Sequence, residues 1–132
     1  MSRLTFSRSE RLRKVADFDR VYSKGKRVAA PSLVLIFYPS QLESTRLGLS
    51  VGSKIGNAVV RNRLKRRLRE VFRLNKHRLR RGYDLLLVAR KGLEELKFQE
   101  IHALVLSFFR KADLFARDSE NLSEGKQPAC GC

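Results

Sequence analysis

The residues best able to do chemistry in this sequence are cationic, and they are gathered. Between Lys54 and Arg81 stand twelve Lys or Arg residues and a single acid, Glu70. Arg61, Lys65 and Arg69 recur every four residues, with Arg63, Arg66, Arg67 and Arg73 around them. On a helix, like charges at that spacing repel by about 0.2–0.5 kcal/mol per pair. A phosphate between two of them reverses the sign, because a guanidinium can hold two phosphate oxygens through parallel hydrogen bonds. The helix start adds its own positive partial charge. The pattern therefore points to binding a polyanion. A merely solvated basic face is the plainer reading, and the near absence of neutralising acids weighs against it.

Bond-making chemistry by the protein itself finds no such cluster. His77 and His102 are isolated and read as surface or satisfied histidines, so no catalytic residue is assigned to the chain. Gly48, Gly52 and Gly56 lack the Gly-Lys-Ser/Thr ending of a nucleotide-binding loop. The only cysteines, Cys130 and Cys132, offer neither a disulfide framework nor the four ligands of a structural zinc site. No metal site is expected.

The 132 residues suit one domain, and a formal charge of +16 calls for a polyanionic partner such as nucleic acid. A membrane is the rival, but no stretch approaches the ~20 apolar residues of a span, and Met1 to Arg13 is too charged for the apolar centre of a signal peptide. A cytoplasmic protein without membrane contact is expected. Residues 118–132, rich in Ser, Glu, Gly and Gln, read as a disordered tail after a domain spanning 1–117.

The elements that must position the basic run follow from periodicity. Leu12 to Lys24 places Val15, Phe18, Val21 and Tyr22 at helical spacing, with Gly25 as a stop. Leu33 to Tyr38 reads as a strand, and Arg46 to Ser53 alternates Leu47, Leu49 and Val51 with small or polar residues as a second, the two forming an antiparallel hairpin. A further strand is expected near Val28. Asn57 caps a helix whose buried stripe is Val60, Leu64, Leu68, Val71 and Phe72, running to about Asn75. Tyr83 to Ala89 is nearly all apolar and suits a central strand covered on both faces. Phe98, Ile101, Leu104, Val105, Phe108 and Phe109 mark a last core helix. The sum is an α+β fold, a split α/β sandwich in the order α-β-β-β-α-β-α.

The string from Gly52 to Glu70, with Lys-Ile-Gly-Asn-Ala-Val before Arg61-Asn62-Arg63 and Lys65, Arg66 and Arg69 after it, resembles the signature of the bacterial ribonuclease P protein component family. Asp17 to Tyr22 before Lys24-Gly25, Leu47 to Val51, and Tyr83 to Arg90 are similar to further landmarks, so the resemblance covers about residues 12–112. It implies a left-handed crossover between parallel strands, against the right-handed default. It also implies a noncatalytic subunit of an endoribonuclease that trims the 5′ leader of precursor tRNA, with catalysis in the RNA subunit and Mg2+ bound mainly there.

By that resemblance Lys54, Asn57, Arg61, Asn62, Arg63, Lys65, Arg66 and Arg69 face the catalytic RNA. Phe18 and Tyr22, with Ile36 on the sheet side, line a cleft for the leader. Ribonuclease P RNA and precursor tRNA are the implied partners, and no protein partner is required. Aromatic rings suit that task, since unpaired bases stack on them without regard to sequence. Phe18 and Tyr22 as ordinary core residues remain the alternative. A ribosomal or ribosome-assembly role would use the same charge but lack leader discrimination, and a DNA-binding regulator would need a recognition-helix pattern that is not visible.

Overall fold

The computed structural model describes residues 11–12, 14–40 and 44–116. Three helices, α1 (Val15–Lys24), α2 (Ala58–Asn75) and α3 (Phe98–Lys111), accompany four strands, β1 (Lys26–Ala29), β2 (Leu33–Pro39), β3 (Arg46–Ser50) and β4 (Tyr83–Ala89). Both the order of elements and the α+β class agree with the sequence reading. The tail at 118–132 and the end of the domain at 117 lie outside the described residues.

The sheet runs β1-β2-β4-β3, with β3 and β4 parallel and the other pairs antiparallel. This corrects the hairpin expected between β2 and β3, which never pair. The apolar run of β4 takes the place between them because both its faces can be covered. Leu85 and Leu87 join the large core under α2 and α3, and Leu86 joins the smaller core under α1. The polar alternation of β3 suits the outer position, where Leu12 N–H donates to the Leu47 carbonyl at 2.9 Å and shields the strand edge. Leu12 thus belongs to this edge contact rather than to α1, which starts three residues later than its periodicity suggested.

Packing places helices on both faces of the sheet. Leu64, Leu68, Val71 and Phe72 of α2 are buried against Ile101, Val105, Phe108 and Phe109 of α3. Each such side chain contributes roughly 1.5–3 kcal/mol when fully buried. On the opposite face Val21 sits in the small core with Val34 and Ile36. Val15, counted in the apolar stripe from sequence, is instead 75% exposed at the first position of α1. Gly25 does end α1, though by close approach rather than a left-handed turn: its φ is −75°, and a Cβ there would meet the Val21 carbonyl oxygen at 2.5 Å and Ile36 Cγ2 at 2.7 Å.

Candidate nucleic-acid interface

The basic helix begins where its cap fixes it. Asn57 Oδ1 accepts from Val60 N–H at 3.0 Å, and buried Ile55 anchors the turn before it. From there the cations divide by what they touch. Arg61 Nε donates to the Gly56 carbonyl at 3.1 Å, tying α2 to the turn. Arg67 Nη1 donates to the Leu96 carbonyl at 3.2 Å, and Arg73 pairs with Glu70. Lys54, Asn57, Asn62, Arg63 and Arg66 are exposed. With Val59, itself 70% exposed, Asn62, Arg63 and Arg66 share the side of α2 that faces away from its core stripe.

Lys65 and Arg69 take a third direction. They line a cleft of about 200 Å³ together with Arg11, Leu12, Phe18, Leu47, Gly48 and Leu49. Burial, then the neighbouring positive charges of Arg11 and Arg66, hold the Arg69 guanidinium below its ordinary value. An anion in this cleft would relieve that repulsion. Phe18 reaches the cleft because β3 carries glycine opposite it: a Cβ at Gly48 would lie 2.9 Å from Phe18 Cζ. Residues that the sequence divided between two surfaces, Phe18 on one and Lys65 and Arg69 on the other, therefore share one opening.

The aromatic pair of α1 is split in exposure. Phe18 is half-buried against the small core, whereas Tyr22 is 54% exposed, so a pure core role fails for Tyr22. Ile36 requires a correction. It is fully buried, in the cross-sheet row Arg27, Ile36, Leu86, Gly48 that α1 covers, and it has no surface to offer a ligand. The next row on the same face runs Ala29, Val34, Val88, Ser50, in which Ala29 and Ser50 are exposed and Val88 half-buried. This row lies two residues back from Ile36 along β2 and two residues onward from Gly48 along β3.

The sequence missed what clamps α1 to the sheet. Arg46 donates from Nε and Nη2 to both oxygens of Asp84, each at 2.8 Å, and from Nη1 to Asp17 at 3.2 Å. Asp17 also accepts from Arg20 at 3.0 Å. The Asp84 hydrogen bond is the main reason the Arg46 guanidinium is held above its ordinary value. Of the histidines, His77 is exposed, and His102 Nε2 lies 3.0 Å from the Asn75 amide with its ring against Phe98.

The donors among the described residues do not fit a Mg2+ ion. Asp17 and Asp84 are committed to arginines, and among the described residues no three His, Cys, Asp or Glu side chains converge. Nor is any helix among them long and apolar enough to cross a membrane. The arrangement presents a concentrated set of cations to a polyanion.

The ribonuclease P family model matches residues 6–113. The ribonuclease P protein component of Caldanaerobacter subterraneus is 43% identical over 105 residues, covering 80% of this chain and 90% of that protein. Among solved structures, the Staphylococcus aureus RNase P protein superposes with a TM-score of 0.76 at 33% identity, covering 81% of this chain and 98% of that one. The Thermotoga maritima RNase P protein gives 0.69 at 35% identity, covering 76% and 96%. With the basic helix, the mixed sheet and these relatives in agreement, the chain belongs to the ribonuclease P protein family.

Proposed function

We propose that the chain serves ribonuclease P in two ways: the outward side of α2 binds the catalytic RNA, and the cleft beside Phe18 receives the single-stranded leader of precursor tRNA. The observation that carries this reading is the division of the cations. Asn62, Arg63 and Arg66 are exposed together, while Lys65 and Arg69 line a cleft that also holds an aromatic ring. Folded RNA is met by charge across a broad surface, and an unpaired strand by charge plus stacking in a groove.

In this reading the protein binds, neutralises and orients. Arg63 and Arg66 offset phosphate repulsion in the RNA subunit, so that it folds at lower salt. Phe18 offers a ring to a leader base, with Lys65 and Arg69 placed for the adjoining phosphates. Hydrolysis belongs to the RNA and to the Mg2+ that RNA holds, and no step of it passes through a side chain of this protein. The work is cytoplasmic. Affinities for precursor and mature tRNA, measured with the RNA subunit present, test the reading: tighter binding of precursor is expected, and equal binding would favour a purely structural RNA-binding role.

A further inference from the structure

We propose that Arg27 is a further binding residue for unpaired RNA, its guanidinium set against the Tyr22 ring and holding the phosphate next to the base that Tyr22 receives, so that the two make one nucleotide subsite; this rests on the leader-binding reading above, which the resemblance already extends to Tyr22. The Arg27 guanidinium carbon lies 4.8 Å from the centre of the Tyr22 ring, and its Nη2 donates to the Tyr22 carbonyl at 3.0 Å. Two elements are needed to build the pair. Tyr22 stands in the last turn of α1, and Arg27 lies on β1 in register with Ile36, hence on the sheet face that α1 covers. Gly25, pressed against Val21 and Ile36, makes the turn between them tight enough for the two side chains to meet.

Packing does not account for the pair. Tyr22 is 54% exposed, and Arg27 is exposed on an outer strand. Among the described residues no carboxylate is ion-paired with Arg27, nor with Lys24 or Lys26 on either side of the turn. A guanidinium has five N–H donors, and the bond to Tyr22 uses one. Donors remain for phosphate oxygens.

The chemistry selects its ligand. A free phosphate would be served by any of the three cations, but the ring adds affinity only where a π-face accompanies the phosphate. Bases in a duplex are stacked on each other, so the ligand is single-stranded. Stacking does not distinguish bases strongly, so the subsite is tolerant of sequence. The Arg27 contact also holds the ring in place before the base arrives, reducing the ordering cost of binding. Tyr22 and Phe18 lie one helical turn apart on α1, so the subsite extends the line of the cleft toward β1.

The test uses the full chain reconstituted with a bacterial ribonuclease P RNA, titrating precursor tRNA and mature tRNA across a range of salt. Arg27→Ala should weaken precursor roughly five- to tenfold, the scale of one base stack, and leave mature tRNA unchanged. Its salt slope for precursor should fall by roughly 0.7, the single-strand value for one phosphate. Arg27→Lys should restore the slope but only part of the affinity, because an ammonium cannot stack flat on the ring. Tyr22→Leu should resemble Arg27→Ala, and the two together should cost less than the product of the separate losses. Unchanged melting temperatures are expected throughout. Equal losses for precursor and mature tRNA, or full retention of precursor affinity and slope in Arg27→Ala, would overturn the subsite. Should the wild-type protein show no preference for precursor, the leader-binding reading itself fails; a preference that survives Arg27→Ala intact overturns the subsite and leaves that reading standing.

Discussion

Arg46 and Asp84 meet across two parallel strands in a fork of two 2.8 Å hydrogen bonds, with Asp84 fully buried. Arg46 reaches from the same guanidinium to Asp17 on α1, so one side chain joins two strands and a helix. Removing one partner of a buried pair leaves the other without compensation, typically at about 3–5 kcal/mol. Asp84→Ala should therefore lower unfolding stability by roughly 3 kcal/mol, with Asp17 limiting the loss by keeping one bond to Arg46. Urea denaturation measures it, and a loss below about 1 kcal/mol would show that the fork is dispensable.

The pH dependence of stability can be assigned by sign. Arg73 hydrogen-bonds Glu70 and depresses its carboxyl below the usual range. A depressed carboxylate stabilises the fold above its unfolded value, about 4.3, and that contribution is lost as pH falls through the folded value. Arg46 has the opposite sense: its raised value leaves its contribution whole from neutral pH up to the ordinary arginine range. Stability should thus be flat from neutral to about pH 5 as far as these groups govern it, and Glu70→Gln should soften the acid limb slightly, since the pair is surface-exposed. Denaturant midpoints across pH check both statements.

Arginines that look alike in sequence should separate in experiment. Arg63 is exposed, whereas Arg67 donates to the Leu96 carbonyl. Arg63→Ala should weaken binding to the catalytic RNA and lower the salt slope by roughly one, with stability unchanged. Arg67→Ala should instead cost about 1 kcal/mol of stability and affect the slope less. Salt titrations paired with thermal melts give the comparison.

Phe18 and Gly48 should act as one unit. Phe18→Ala should selectively weaken precursor tRNA, and Gly48→Ala should do the same by displacing the ring from its place 2.9 Å from the added methyl. Ile36→Ala, in a fully buried position, should cost about 2–5 kcal/mol of stability without changing the preference for precursor over mature tRNA. Parallel binding assays on the three variants decide it.

Local pattern carried most of the fold. The cap at Asn57, the stripe from Leu64 to Phe72 and the apolar run of β4 are short-range signals, and each element stands close to its expected place. Strand pairing was not legible. Whether β3 joins β2 or β4 depends on which strand best fills the centre, a competition that spacing does not encode. The candidate site was legible in kind but not in allocation. Repetition of Arg announces a polyanion, yet only the structure shows Arg61 and Arg67 bound to carbonyls, Lys65 and Arg69 beside Phe18, and Ile36 sealed under α1. The Asp17–Arg46–Asp84 clamp escaped notice because its members are 29 and 38 residues apart and resemble surface charges.

On the proposed reading, the exposed side of α2 docks on a folded catalytic RNA and helps it work. That docking is tested most directly by mixing this protein with a bacterial ribonuclease P RNA at low Mg2+ and following leader removal from precursor tRNA. Cleavage should rise in the mixture over the RNA alone, and Arg63→Ala with Arg66→Ala should abolish the rise. Cleavage that stays unchanged by the protein across salt and Mg2+ concentrations would rule out docking of α2 on the RNA as its role.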